Sequence, residues 1–399
     1  MEIGQTLSGR ILITGIGFIT PIKPFQGVNE FWHALCSGQD IIKKTRLPLL
    51  EIDGEWPMAE ISLSCITQTV QPEDKFQYLM KRALNMAIED ANLKDCSNIG
   101  LSMGTVLGNM LLKEKKLADA KNQKKEYCGE QDSLSNVTLQ FSSLYNLNGP
   151  KYTVSTACTS GTDAIGIAAR SILSGKTDIM IAGGADILSD FAIIGFHALQ
   201  AITTDKVRPF DKNRSGLALG EGASFVVLES EKSAAKRNAK VYGRVIGYAS
   251  RADANHLTGP HREGRGLAEA IDRAMGQSGV KPCDINYINA HGTGTVYNDL
   301  METKAIKRVF ARLAYDIPIS STKSMLGHSM GAAGAIEAIC CLLAIKSGIV
   351  PPTINFQERD PDCDLDYTPN IARNHTVKMA MSLSAGFGGQ NSAIILGGV

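Results

Sequence analysis

Two segments of this chain, residues 162–173 and 332–346, read as helices made mostly of small apolar residues, with Ala and Gly spread over their faces. A helix without a polar face has to be covered on all sides, so the fold must be thick enough to hold a buried helical layer. Each segment follows a Gly-rich turn, Thr156-Ala-Cys158-Thr-Ser-Gly161 in one case and residues 324–331 in the other. Apolar runs with strand character lie at 11–13, 99–103, 152–155, 179–185, 223–228, 241–248, 285–290, 380–384 and 392–396. Helical patterns cover 29–37, 76–92, 266–277 and 299–310. Strands alternating with helices predict stacked α/β layers. The order strand, Gly-rich turn, small-residue helix, strand occurs twice without a low-complexity linker. We therefore read one intertwined unit of two halves, residues 1–245 and 246–399.

Several classes fall away. Lys plus Arg number 41 against 40 Asp plus Glu, a net charge of +1, which argues against nucleic acid as the main partner but leaves room for a local basic patch. Residues 113–125 hold six Lys, read either as a solvated face or as a dock for an acidic partner. The first ten residues lack the basic and apolar regions of a secretory signal. Apolar runs such as 338–345 are shorter than the ~20 residues of a membrane helix. The nine Cys are scattered with no CxxC pair, which predicts reduced, mostly buried thiols in a cytoplasmic protein. Gly15-Ile-Gly17 after the first strand reads as a Gly-rich turn, but it lacks the third glycine of a dinucleotide fingerprint. Pro21 and Pro24 stand where that helix would start.

The chemistry-bearing residues sit in the glycine turns. Cys158 lies between an extended segment and a helix start, where backbone N–H groups and the helix dipole stabilise a thiolate. Taken alone it reads more readily as a core cysteine than as a nucleophile. His291, in Asn289-Ala-His291-Gly-Thr-Gly-Thr295, follows a strand, and His328, in Lys323-Ser-Met-Leu-Gly-His328, precedes the second small-residue helix. Singly, each His reads also as a capping or core residue. The two stand 37 positions apart with no carboxylate at a ligand spacing, so no metal site is expected. Two neutral imidazole donors aimed at one oxygen would instead hold a developing enolate. Gly386-Phe387-Gly-Gly389 adds a turn whose N–H can stand beside the nucleophile. Together these residues suit carbon–carbon bond formation on a thioester. Cys158 would carry the acyl group, and the two His would stabilise the enolate left when a malonyl thioester loses CO₂. The N–H groups of Cys158 and Phe387 would hold the tetrahedral oxyanion.

With Ala157-Cys-Thr-Ser-Gly161, Asn289–Thr295, Lys323–His328 and Gly386–Gly389 in this order, the chain resembles the β-ketoacyl-acyl carrier protein synthases, elongating condensing enzymes of the thiolase superfamily. The resemblance implies a five-layer αβαβα sandwich, a dimer and a Cys158–His291–His328 triad. It implies that Lys323 holds the network, paired with Glu302, and that Glu337 belongs to the supporting polar groups. Thr293 and Thr295 would bind the phosphopantetheine arm of an acyl carrier protein, and Phe387 would act as a gate. Substrates would arrive on that arm, with no separate cofactor.

Cys158-Thr-Ser-Gly-Thr-Asp, His256-Leu-Thr-Gly259, Asn298-Asp299, Cys363-Asp-Leu-Asp-Tyr367 and Ala385-Gly-Phe-Gly-Gly-Gln are similar to ketosynthase subunits of type II polyketide and polyene systems. Such subunits often pair with a chain-length factor lacking the Cys, so this chain would be the catalytic member. A homodimeric fatty-acid ketosynthase is the alternative. Three further readings are weaker. Cys158, His291 and His328 together argue against a non-catalytic chain-length partner. A thiolase would carry a second Cys near Phe387, and an initiating enzyme would carry Asn where His328 stands. The segments 44–75 and 113–135 look short beside the family, and Met110 and Leu111, with the partner chain, are expected to set pocket depth.

Overall fold

The structure is a computed structural model that describes residues 11–46, 54–64, 70–71, 74–124 and 133–399. The N-terminal ten residues, Cys65, Cys128, Lys125 and parts of the two short segments named above lie outside the described residues.

Ten strands form the main sheet: β1 Ile11–Ile19, β2 Gly100–Gly104, β3 Lys151–Val154, β4 Ile179–Asp186, β5 Gly222–Ser230, β6 Gly243–Ala252, β7 Tyr287–Asn289, β8 Ile319–Ser320, β9 Met379–Gly386 and β10 Gln390–Gly397. Their spatial order is β8-β7-β9-β10-β6-β1-β5-β4-β2-β3. Within each half the third, second and fourth strands are parallel neighbours, and the fifth and first then add antiparallel. The halves thus share one order and one set of strand directions. They are joined edge to edge where Ile11–Ile13 of β1 pairs with Gly243–Val245 of β6. Residue 245 falls near the start of β6, the first strand of the second repeat.

The helices that build the layers are α1 Lys75–Asp90, α2 Met110–Asn122, α3 Ser160–Leu173, α4 Asp190–Ala198, α5 Arg265–Ser278, α6 Val296–Phe310 and α7 Ala333–Ser347. In each half the central helix follows the third strand: α3 after β3, α7 after β8. The two pack against each other, and α7 touches β4 and β5 of one half and β9 and β10 of the other. On the outer faces α1 covers β1 and β5, and α5 covers β6 and β10. This is the αβαβα sandwich, and it explains the small-residue helices: every residue from Ala333 to Ala344 is buried. The stretch Met330–Ser347 has the length and hydropathy of a membrane helix, a longer apolar run than the sequence reading recognised. Its place between the sheets accounts for that composition.

The central helices nearly touch. A Cβ on Gly161 would stand 2.6 Å from the Gly331 carbonyl oxygen, and one on Gly334 would stand 2.6 Å from the Thr162 nitrogen. We expect Gly334→Val to lower stability by about 1–3 kcal/mol or more, because a branched side chain cannot enter without parting the layers. A urea midpoint equal to that of the unaltered protein would contradict this.

Two local readings are corrected. Gly15-Ile-Gly17 is not a turn but the middle of β1. A Cβ on Gly17 would lie 2.2 Å from the Ala83 carbonyl oxygen, so the glycines let α1 approach the strand closely. Residues 324–331 are also more ordered than a turn: Lys323–Leu326 is a short helix and Met330–Ala332 a 3₁₀ turn. The lysine-rich run forms α2, where Leu111 is the buried residue and Lys113 and Glu114 are half-buried. Glu114 accepts the N–H groups of Asp190 (3.3 Å) and Phe191 (2.7 Å) at the start of α4. Seven described cysteines are free thiols. Cys158, Cys340, Cys341 and Cys363 are buried and Cys283 is exposed.

Candidate active site

The repeat sets Cys158 and His328 at matching places, each in the turn between the third strand and the central helix of its half. His291 leaves the end of β7, and Phe387 leaves the end of β9. These turns meet where the halves join, around a cavity of about 390 Å³ whose lining includes Cys158, His291, His328, Phe387, Thr293 and Thr295. Cys158, His291 and His328 are all buried. The imidazole rings stand edge to face, centroids 5.2 Å apart and planes at 86°. Among the described residues, Nδ1 of His291 and both ring nitrogens of His328 have no hydrogen-bond partner.

The supporting shell lies behind these rings. Glu302, on α6, accepts the backbone N–H of His291 (2.6 Å) and of Gly292 (2.8 Å), fixing the turn that presents the imidazole. Lys323 is ion-paired with Glu337 of α7, both buried. This corrects the expected Lys323–Glu302 pair. Both Glu302 oxygens are taken by backbone amides, whereas Glu337 projects from the helix that follows His328. Thr293 and Thr295 line the cavity with their hydroxyls 2.9 Å apart. Phe387 stacks on Phe196 of α4, ring centroids 5.3 Å apart. A Cβ on Gly386 would come within 3.0 Å of the Cys158 nitrogen, so glycine lets the Phe387 turn press against the Cys158 turn. The Phe387 N–H reaches the Cys158 thiol.

Electrostatics sharpen the roles. Burial, then the Lys323 ammonium, holds both imidazoles well below the usual 6.5. A histidine with a lowered pKa is neutral at every pH above it, so both rings stay N–H donors at neutral pH. With Cys158 blocked by iodoacetamide, CO₂ release from a malonyl thioester should therefore stay flat from about pH 8 to about pH 6. A loss centred near 6.5 would show ordinary imidazoles. For Cys158 the expected resting thiolate is not found. Burial pushes the thiol up to about 12, against the pull of Lys323 and the Phe387 N–H, so desolvation outweighs the favourable neighbours. The resting group is a thiol. Burial also raises Glu302 to about 8 and Glu337 to about 7.

Other parts lie elsewhere. Met110 and Leu111 do not line this cavity, and Leu111 faces a separate one of about 90 Å³. Two carboxylates escaped the sequence reading as site elements. Asp299 accepts the N–H groups of Thr293, Gly294 and Phe210, shaping the glycine turn after His291. Asp186 accepts the N–H groups of Val106, Leu107 and Gly331 and the Thr105 hydroxyl, tying the chain beyond His328 to the first half. A lone carboxylate closing the apolar strand 179–185 was the available signal for Asp186. Among the described residues, no group of three His, Cys, Asp or Glu side chains is placed to hold a metal.

Comparison with known proteins agrees with this geometry. The chain matches the β-ketoacyl synthase N-terminal domain over residues 8–234 and the C-terminal domain over residues 242–357. It is 36% identical to the tetracenomycin polyketide synthase ketoacyl synthase alpha subunit of Streptomyces glaucescens, covering 97% of this chain and 96% of that protein. It is also 36% identical to 3-oxoacyl-[acyl-carrier-protein] synthase 2 of Coxiella burnetii, covering 97% and 98%. Among solved structures, a type II polyketide ketosynthase bound to a hexaketide and in complex with its acyl carrier protein superposes with a TM-score of 0.90 at 33% identity, covering 98% and 99% of the two chains. Matched along nearly its whole length and built as the thiolase-fold sandwich, the chain belongs to the β-ketoacyl synthase family.

Proposed function

We propose that the chain is a β-ketoacyl-acyl carrier protein synthase, the catalytic ketosynthase of a type II polyketide or polyene system. The observation that carries this is the convergence of Cys158, two neutral imidazoles and the Phe387 N–H on one cavity. In the first step Cys158 Sγ attacks the acyl thioester carbonyl. The thiol proton passes to an imidazole and on to the departing arm thiolate, and the N–H groups of Cys158 and Phe387 bind the oxyanion. In the second step the malonyl thioester loses CO₂, and the remaining electron pair forms an enolate held by His291 and His328. The enolate carbon then attacks the acyl-Cys carbonyl. The new C–C bond gives a 3-oxoacyl thioester on the carrier, and Cys158 leaves and is reprotonated. Thr293 and Thr295 hold the phosphopantetheine arm, and Phe387 gates the cavity by leaving its stack on Phe196.

The partner follows from the relatives. One structural neighbour, the ishigamide ketosynthase/chain length factor, is 34% identical to this chain with a TM-score of 0.90. We infer an equivalent heterodimer here. Homodimeric fatty-acid elongation is the second reading, favoured by the equal identity to the 3-oxoacyl synthase of Coxiella burnetii. The test is reconstitution: the purified chain, alone or co-expressed with a ketosynthase-like chain that lacks the Cys, is given acyl and malonyl carrier proteins. A 3-oxoacyl carrier product supports condensation, and its absence in both preparations overturns it. A 1:1 heterodimer by native mass supports the polyketide or polyene assignment, and an active homodimer supports the fatty-acid one.

A further inference from the structure

We propose that Asp163 is a positioning residue for Cys158: it clamps the turn that carries the thiol and ties that turn to strands of the second half. The inference rests on Cys158 being the nucleophile.

The turn needs a clamp. Ala157, directly before Cys158, sits at φ +52°, in the left-handed region that disfavours residues with a Cβ. Such a conformation persists only where the surroundings over-determine it. Asp163, in the first turn of α3 and 3% exposed, stands at the centre of those surroundings. Its Oδ2 accepts the Thr156 hydroxyl at 2.6 Å. The Thr159 hydroxyl lies 2.9 Å from the same oxygen and 2.8 Å from the Thr156 carbonyl. One carboxylate oxygen thus gathers both flanks of Ala157-Cys158. The other oxygen, Oδ1, faces across the interface between the halves. It accepts the hydroxyl of Tyr248 on β6 at 2.9 Å and that of Ser392 on β10.

The placement matters because β10 follows the Gly386–Gly389 turn, so the strand held by Oδ1 begins where the Phe387 turn ends. Asp163 therefore sets the Cys158 turn against the element that supplies the Phe387 N–H. A carboxylate suits this role, since it accepts on both oxygens and has no proton to donate. An amide of the same shape would present N–H groups to one pair of these hydroxyls. A misplacement of about 1 Å at a reacting atom can cost on the order of 10²-fold in rate.

The test uses the full chain carrying Asp163→Asn. Three quantities are read: the rate of Cys158 acylation from an acyl carrier protein, by intact mass; CO₂ release from malonyl carrier protein after Cys158 is blocked by iodoacetamide; and the thermal midpoint. We expect acylation to fall roughly ten- to hundred-fold, with CO₂ release within about twofold, because the clamp acts on the thiol turn and not on the imidazoles. Acylation within twofold of the unaltered protein, or acylation and CO₂ release falling together, would overturn the inference. If Asp163→Asn does not fold, Thr156→Val takes its place. It removes the shorter of the two hydroxyl donors to Oδ2 and leaves that of Thr159, so acylation should fall by a smaller factor, and unchanged acylation there would overturn the inference. An unaltered protein that never acquires an acyl group on Cys158 would instead sink the assignment of the nucleophile.

Discussion

Cys158→Ala takes up no acyl group from an acyl carrier protein, while the unaltered protein gains the full acyl mass. The expectation follows from the cavity: Cys158 is the thiol in its lining, held on a bent turn and touched by the Phe387 N–H. Alanine keeps the turn and leaves no atom to form the bond. Because the alteration deletes one buried sulfur, the cost in stability is about 1 kcal/mol, and the thermal midpoint should move by only a few degrees. Acyl uptake and folding are thus separable. Intact-mass measurement after incubation with acyl carrier protein decides the matter, and an acylated alanine variant would place the nucleophile elsewhere.

The second large effect is on decarboxylation. His328→Ala should slow CO₂ release from malonyl carrier protein on the order of 10²–10³, the usual consequence of removing one preorganised donor from an oxyanion site. His328 is buried, has both ring nitrogens free of protein partners, and is kept neutral by burial and by Lys323. Removing it also leaves His291 as a lone donor. Acylation of Cys158 should suffer less, since the N–H groups of Cys158 and Phe387 hold that oxyanion. Comparing both steps in single-turnover experiments checks the split. A decarboxylation rate near that of the unaltered protein would remove His328 from enolate stabilisation.

Much of this site was legible before folding was considered. A cysteine, a histidine, a lysine, a second histidine and a Phe-Gly-Gly turn stand in that order along the chain, in short segments that each contain glycine, because close approach of turns to a substrate requires residues without bulk. The small-residue helices likewise announced a buried middle layer, since no surface tolerates such a face. Other features were not readable. Gly15 and Gly17 looked like a turn, because a glycine that admits a neighbouring helix and one that bends the chain have the same letter. The lysine partner was misassigned because Glu302 and Glu337 are both buried acids near Lys323. Only three-dimensional placement shows that backbone amides already occupy Glu302.

The same division holds for the chemistry. The sequence by itself determined which groups are available and that they belong to a layered α/β fold, because residue type and local periodicity act over a few positions. Tertiary structure alone decided their electrical state. The helix start beside Cys158 predicted a thiolate, but burial between two sheets pushes the thiol up to about 12 and holds both imidazoles low. Desolvation depends on everything that surrounds a group, and those neighbours come from segments more than a hundred residues apart.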